Sequence, residues 1–500
     1  MMTALLISLS LLLPPADSLS AVQRSYARGE KVRVSEGKSA AAYLFGPDAG
    51  YSGAAASWNY RTEPAPVLRE EGTGLSEGQL NIATLVRLDS LSAVRGKVRY
   101  ANGVKRGVLW NSSSDYSTLY PYVMADTVGG DLRKEEYAFS GGYTARRGRF
   151  HWGVEGAYRA LHEYRQADPR PRNIVSDLHV TGSAGWRATP GYVLDASFAY
   201  RRYSQTQSMA FHNERGRNTA ILHLTGLGGH FSRFAGATDS YLNTRYTGNG
   251  LTVAAAWLPV REAGWNATAS YSLLDLVHFL PLPNQTEIPY TELYTREADA
   301  RLQYLSRGGD LAWKAGAFAR YQWRIGQEII LDNGAAGYIK ELLRADMFHS
   351  GNLTAGVDGL LQWRQRWSLE ARADYTLNEE NYAYPVRTLT HAGIRAGLDA
   401  GYRRQSGLWH WKAALGGGLY RSLSGTLRIP EEYTDARLAA YWQEQYARIC
   451  AGSYDAHLLL YAERQLSARL SLYAQASGRA LFPAGFAPAF YSTLSLGINF

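Results

Sequence analysis

Apolar and polar residues alternate with period two along most of this chain. The C-terminal segment shows the pattern in its cleanest form. Its even positions read Phe490, Ser492, Leu494, Leu496, Ile498 and Phe500, and its odd positions read Tyr491, Thr493, Ser495, Gly497 and Asn499. Successive side chains of a strand point to opposite faces, so this segment has one greasy face and one polar face. Upstream, 468–480 sets Leu470, Leu472, Ala474 and Ala476 against Arg469, Tyr473, Gln475 and Arg479. Segment 455–464 sets Leu458 and Leu460 against Asp455, His457 and Glu463. The same stripe marks 407–420, 389–403, 367–376, 352–364, 309–324, 291–305, 264–276, 191–203, 177–188, 149–164, 135–146, 104–111, 92–101 and 51–60. One such strand suits a soluble sheet, whereas a chain built of them predicts a transmembrane β-barrel.

Connections alternate between short and long. Short turns are read at Asn102-Gly103, Arg146–Gly148, Thr189–Gly191, Arg261–Gly264, Arg307–Gly309, Arg364–Arg366, Arg404–Gly407 and Gln465–Ser467. Asn-Gly favours a two-residue hairpin because both residues tolerate positive φ. Long connections are 61–91, 112–134, 165–176, 204–217, 277–290, 325–350, 379–388, 421–453 and 481–489. Short turns belong on the periplasmic side and long loops outside. The reading is an all-β fold, a single transmembrane antiparallel barrel of about 18 strands. It rises to 20 if 218–233 and 239–260 both span, because bacterial single-chain barrels have even counts.

One stretch breaks the rule. In 435–449, Leu438, Tyr441, Trp442, Tyr446 and Ile449 recur at helical spacing, which predicts a short amphipathic helix in an outer loop. It is expected to pack on other loops, with docking of a partner protein as the sharper alternative.

Composition is consistent with a barrel. Apolar residues make up 46%, mean hydropathy is −0.29, and Tyr (35) and Gly (50) are abundant, as when half of each strand faces water. Beyond the N-terminus no run approaches the about 18 apolar residues of a spanning helix. Lipid satisfies no backbone hydrogen bonds, so a helix-free membrane protein must close its sheet. Ala4–Leu13 is apolar, Pro14-Pro15 follow, and Ser18 and Ser20 sit at plausible cleavage positions. Residues 1–20 therefore read as a signal peptide, although no Lys or Arg precedes the apolar stretch. Residues 21–50 read as an N-terminal periplasmic segment and 51–500 as the barrel. Cys450 is the single cysteine, so no intrachain disulfide forms and no lipidated cysteine lies near the cleavage point. The net charge of +9 is dispersed along the chain, unlike the clustered basic face of a nucleic-acid binder.

Candidate chemistry lies on the inward faces, where acids and bases mix. They are Glu297, Asp299 and Arg301; Lys314 and Arg320; Asp358 and Arg364; Glu370, Arg372 and Asp374; Arg395, Asp399 and Arg403; Asp455, His457 and Glu463; and Arg469 and Arg479. Such a set serves either as a cross-strand ion-pair ladder or as a charged constriction that selects solutes. Trp363 and Trp367 flank one short turn, and Trp409 and Trp411 follow another, which predicts a membrane girdle. Gly74-Leu-Ser-Glu-Gly78 matches the nucleophile-elbow pattern, which requires a strand before it and a helix after it. Set in a loop between strands, it is read as coincidence. No P-loop or H-E-x-x-H motif occurs, the 11 histidines are scattered, and neither a catalytic residue, a cofactor nor a metal site is assigned. Asp168-Pro-Arg-Pro-Arg-Asn173, beside Arg165, reads as a stiff loop anchor that would partly close the pore if it folded inward.

The signal peptide, the alternating strands and the terminal Tyr491–Phe500 motif resemble the Gram-negative outer-membrane β-barrel superfamily over roughly residues 40–500. The chain length, Pro121-Tyr122 with Asp126, and Asp168-Pro-Arg-Pro171 look like a family of barrels of this size without an assigned activity. The resemblance implies the bacterial outer membrane, with lipid and lipopolysaccharide around the wall. It also implies insertion by the barrel-assembly machinery through a signal ending on Phe500. The segment before the first strand is too short for a separate plug domain, so an energised plugged receptor is not expected. The leading expectation is a channel for small solutes. The alternatives are a partner barrel with a filled lumen acting through its outer loops, and a barrel hydrolase.

Overall fold

The computed structural model describes residues 50–212, 221–232, 242–260, 263–282, 285–332, 340–430 and 436–500. The proposed signal peptide and nearly all of the 21–50 segment lie outside the described residues. Eighteen antiparallel strands form one sheet that closes on itself. In chain order they are β1 (Tyr51–Thr62), β2 (Gly74–Arg87), β3 (Ser92–Val108), β4 (Gly130–Arg147), β5 (Phe150–Tyr164) and β6 (Arg170–Thr189). Next come β7 (Tyr192–Ala210), β8 (Asn243–Pro259), β9 (Gly264–Leu282), β10 (Gln285–Gly308), β11 (Leu311–Asp332) and β12 (Lys340–Trp363). The last are β13 (Trp367–Tyr382), β14 (Arg387–Ser406), β15 (Trp409–Arg428), β16 (Ser453–Gln465), β17 (Ser471–Pro483) and β18 (Ala489–Asn499). Each strand pairs with its sequence neighbour, and β1 pairs with β18 to close the seam. Phe500 completes that seam, its N–H donating to Ser52 O at 2.9 Å while Ser52 N–H donates back at 3.2 Å. Closure leaves no edge, as a hydrocarbon solvent requires.

The strand number agrees with the sequence reading, but the strands near the N-terminus are distributed differently. Asn102-Gly103 is not a turn; it lies inside β3, with Gly103 opposite Glu77 on one side and Lys134 on the other. A Cβ on Gly103 would sit 2.5 Å from Ser76 O, so this glycine permits close approach of two strands instead of a reversal. The reading of 61–91 as a loop is also corrected, because it contains β2. One split strand and one missed strand cancelled, which preserved both the count and the up-down phase. Ser76 consequently lies within a strand, without the strand-turn-helix setting of a nucleophile elbow.

Strand heights vary. β16, β17, β18 and β1 have 11 to 13 residues, close to the about 9–11 that cross a bilayer. β10 and β12 have 24 each. Segments 277–290 and 325–350, expected to be loops, are largely strand extensions that raise the wall far above the membrane. Outward positions carry the apolar stripe; Leu458, Leu460, Leu472, Leu494 and Leu496 are all exposed. Trp363, Trp367, Trp409 and Trp411 are exposed at periplasmic strand ends, and Trp152, Trp186, Trp265 and Trp313 extend the row around the barrel. Trp409 stacks on Trp411 at 5.0 Å. These features make the molecule an outer-membrane barrel with its short turns toward the periplasm.

The buried core lies inside the outer half of the barrel. The extracellular connection 109–129 and the described 221–232 of the connection between β7 and β8 pack inward there. The first carries the helical turn α1 (Tyr116–Leu119) and a short strand, Met124–Asp126. The second carries Ile221–Gly226, which pairs with Met124–Asp126 and with Gly229–His230. This three-stranded sheet is a plug formed from loops. Within 218–233 the described residues do not span the barrel wall; Ile221–Gly226 and Gly229–His230 form a hairpin that packs in the plug, which leaves the count at 18. The predicted amphipathic helix is present as α2 (Ala436–Cys450) and covers the low side of the rim, burying Leu438, Tyr441 and Trp442.

Candidate functional site: a plugged lumen

The plug begins where glycines let the chain turn into the lumen. Gly129 adopts φ 71°, and a Cβ there would meet Val108 O at 2.5 Å. Trp110 and Asp115 are held at φ 58° and 51°, a left-handed conformation that costs about 1–2 kcal/mol per non-glycine residue. Packing overrides this cost. Trp110 lies 6.2 Å from the Tyr441 ring, and Leu119, Tyr122, Val123 and Ala125 are almost fully enclosed. Wall residues Tyr203, Tyr246 and Phe348 complete this core from the barrel side.

Polar bonds then fasten the plug to the wall. The run Asn111-Ser112-Ser113-Ser114 is wholly buried, and each hydroxyl has a carboxylate or amide partner. Ser112 donates to Asp126 at 2.7 Å, Ser113 to Gln207 at 2.8 Å, and Ser114 to Glu163 at 2.6 Å. Asn173 and Gln207 both donate to Ser112 O at 2.8 Å. Arg165, 4% exposed, reaches the fully buried Asp126 at 3.0 Å. The Asp168-Pro-Arg-Pro turn sets that arginine in place, with Pro169 O accepting from it at 3.3 Å. On the far wall Arg324 donates to Tyr120 O and Ser117 O at 3.1 and 2.8 Å, and Tyr120 donates to Glu380 at 2.6 Å. Arg387 fastens the second loop by donating to Gly226 O at 2.6 Å and to Thr225 at 3.1 Å.

A third junction joins the outer loops. Glu70, in the helical turn Arg69–Glu71, is 2% exposed and accepts from Tyr116 at 2.9 Å and from Tyr441 of α2. Burial pushes this carboxyl up to about 7, partly offset by the tyrosine hydroxyls, with neighbouring Glu71 adding repulsion. Burial likewise raises both tyrosines. Gln445 and Arg448 of α2 donate to Val67 O and Ala65 O at 2.8 and 2.9 Å, so helix, rim loop and plug meet at one point.

Below the plug the inward faces are charged. Arg320 reaches Asp299 at 3.3 Å and Glu297 at 3.6 Å. Arg301 and Lys314 share Asp358 at 3.2 and 3.4 Å, so the ladder reaches from β10 across β11 to β12. Arg372 pairs with Asp374 two residues along its own strand at 2.9 Å. Arg301 and Arg372 both lie over Phe318, 5.1 and 4.5 Å from its centroid. Glu370 is exposed to the lumen, and Arg395 lies 5.8 Å over Tyr420. His457 joins Asp399 and Asp455, and Asp455 also holds Arg479 at 3.0 Å. Glu463 is buried beside Ser471, Tyr461 and Asn499, and Arg403 donates to Gln365 O in a periplasmic turn at 2.7 Å. Two assignments need correction. Arg364 lies in the 364–366 turn and pairs with Asp310, and Arg469 is exposed in the 466–470 turn. Both continue the alternation by number, but the strands end before them.

Sequence reasoning missed the opposite wall, where Glu77, Arg99, Lys134, Glu136, Arg159, Asp177 and Arg201 form a second network. It also missed the plug anchors. A usable signal was present in the Asn111–Ser114 run and in the polar Gln205 and Gln207 continuing β7 beyond any bilayer.

No curated protein matches the sequence. Solved structures of overlapping shape include the ferric preacinetobactin receptor of Acinetobacter baumannii (TM-score 0.42, 7% identity, covering 91% of this chain and 80% of that one). Another is the ferric-catecholate import receptor of Escherichia coli (TM-score 0.38, 8% identity, 91% and 82%). A third is the ferripyoverdine receptor of Pseudomonas aeruginosa (TM-score 0.37, 10% identity, 90% and 72%). Their ligands are properties of those proteins. Residues 40–500 match the family of unknown function DUF6850, to which this chain belongs.

Proposed function

We propose that this protein is a gated outer-membrane transport barrel for small hydrophilic solutes, closed on its outer side by two of its own loops. The supporting observation is the contrast between a plug held to the wall by side-chain bonds and a water-facing charged chamber beneath it. Such bonds can be exchanged for water or ligand, whereas a strand of the wall cannot leave. Exposed or half-buried inward charges such as Glu297, Asp299, Arg320, Glu370 and Arg479 are then pore-lining groups that select solutes. Conductance of the pure protein in planar bilayers tests the reading. Wild type is expected to be mostly closed, and a variant with 112–126 replaced by a short Gly-Ser linker to conduct. Absence of conductance from that variant, with its barrel intact by heat-modifiable migration, would sink the idea.

A second reading, a partner barrel with a filled lumen, is favoured by α2 lying across the rim and by the apolar Ile330 and Leu343 exposed on the tall hairpin. In that case the plug is permanent and the rim binds another outer-membrane protein. Insertion by the barrel-assembly machinery is proposed from the terminal aromatic strand. Phe500→Ala is expected to lower the amount reaching the outer membrane, and an unchanged amount would remove that partner. Lipid and lipopolysaccharide are proposed to wet the apolar stripe and the tryptophan row.

A further inference from the structure

The geometry points to an anion-binding shelf on the β3–β7 wall directly beneath the plug, with the plug's own Asp115 as its built-in competitor. This inference rests on the transport reading and adds the chemical class of the solute: a small organic or inorganic anion carrying two or more carboxylate or phosphate groups.

Backbone register builds the shelf. Lys97 lies opposite Ser140, Ser140 opposite Ala157, Ala157 opposite His179, and His179 opposite Arg201. One step toward the plug, Arg99 lies opposite Ala138, Ala138 opposite Arg159, and Arg159 opposite Asp177. All share inward parity, since Val94, Val98, Phe139, Tyr158, Val180 and Tyr200 are exposed on the lipid side. Strands are about 4.8 Å apart, so Lys97 and Arg201 span roughly 19 Å of wall, with small Ser140 and Ala157 leaving room between the long cations.

Along the two shelf rows the charges leave one base over, while the row below carries the self-paired Arg95 and Glu155. Lys97, Arg99, Lys134, Arg159 and Arg201 face four carboxylates: Glu77, Asp115, Glu136 and Asp177. Asp177 alone serves Arg201 at 2.8 Å, His179 at 3.1 Å and Arg159 at 3.7 Å. Arg99 has only loose partners, at 3.5 and 3.7 Å. Lys97 is exposed and has no ion pair among the described residues. The acids are recessed and the bases extend toward the water: the Glu77 side chain is 2% exposed where Arg99 is 41%, and Asp177 is 7% where His179 is 43%. A solute in the lumen therefore meets cations first. Low-dielectric walls focus that field, and guanidinium groups suit carboxylate and phosphate geometry.

Asp115 connects the shelf to the gate. It immediately precedes α1, is held by both terminal nitrogens of Arg159, and accepts from Tyr203 at 3.1 Å. An incoming polyanion competes for the same guanidinium. Its binding weakens the hold on the lower end of the plug, and a docked plug weakens binding by the same factor.

Isothermal calorimetry on the detergent-solubilised full chain tests the shelf, with citrate as the carboxylate probe and pyrophosphate as the phosphate probe. At least one is expected to bind at low salt and to weaken as salt rises. Lys97→Gln with Arg99→Gln is expected to weaken binding at least about 10-fold, and Asp115→Asn to tighten it several-fold because the competitor is gone. Arg364→Gln, in the 364–366 periplasmic turn, should leave it unchanged. Binding of neither probe by wild type overturns the shelf, as does an unaffected double variant or weaker binding by Asp115→Asn. Heat-modifiable migration separates misfolding from lost binding. The readout needs no pore, so a shelf that binds in a barrel that never conducts would sink transport alone, and a conducting barrel indifferent to both anions would sink the shelf alone.

Discussion

The two halves of this lumen use the same residue types for opposite ends. In the outer half, Arg165 and Asp126 are 4% and 0% exposed and enclosed by Ser112, Met124 and the Pro169 carbonyl. In the inner half, Arg320 is 56% exposed and reaches two acids loosely. A desolvated pair is costly to break because each partner loses water and counter-charge together. A wet pair exchanges readily with solvent. The outer half therefore behaves as folded protein, whereas the exposed charges of the inner half, apart from buried groups such as Glu463 and the His151–Asp195 pair, form a lining available to solutes.

This comparison yields a graded set of predictions. The largest effect belongs to Arg165→Ala, which leaves Asp126 buried without its cation at an expected cost of about 3–5 kcal/mol. Native-state proteolysis should find the 109–129 loop cleavable while the barrel keeps its heat-modifiable migration. A protected loop would refute the division into two halves.

The next effect depends on pH. Glu70 is an ordinary carboxyl when unfolded, near 4.5, and is raised to about 7 when folded. The folded state holds the extra proton, so this contribution is complete below about 4.5, declines as pH rises, and is lost above about 7. A shift of this size corresponds to roughly 3 kcal/mol. Hydrogen-exchange protection factors in α2, corrected for the intrinsic base-catalysed rate, should fall from pH 5 to pH 8 in wild type. Glu70→Gln should flatten that profile, and an unchanged profile would remove Glu70 as its origin.

Gly229→Ala comes third. A Cβ there would sit 1.4 Å from an Arg387 terminal nitrogen, driving the guanidinium from Gly226 O and Thr225. Loss of hydrogen bonds to a charged donor predicts about 2 kcal/mol, read as increased exchange in 221–226. Gly229→Ala with Arg387→Ala should cost little beyond Arg387→Ala alone. Smallest is Arg320→Ala, expected below about 1 kcal/mol in thermal melting. A large loss there would mean that the inner half is as tightly built as the outer.

Much of the barrel was legible in the sequence because hydrocarbon imposes one repeated demand. Every second residue of every spanning strand must be apolar, and Leu458 or Leu494 meets that demand whichever strand lies beside it. The tryptophans beside the short turns and the helical spacing of Leu438, Tyr441 and Trp442 were legible for the same local reason. Asn102-Gly103 was misread because a glycine that turns and a glycine that admits a close neighbour look alike in one dimension. Arg364 and Arg469 were misread because parity does not mark where a strand stops.

The sequence alone determined the class of solvent, the closed sheet, its period and its up-down phase. These follow from side-chain alternation and from the backbone's need for hydrogen bonds in lipid. Only the tertiary structure decided that the outer lumen is full, which loops fill it, and that Lys97, Arg99, Arg159, His179 and Arg201 share one wall. Inward positions are polar whether they meet water, a plug or each other. What a polar side chain meets inside a closed barrel depends on residues far away in the chain, and no local pattern records that distance.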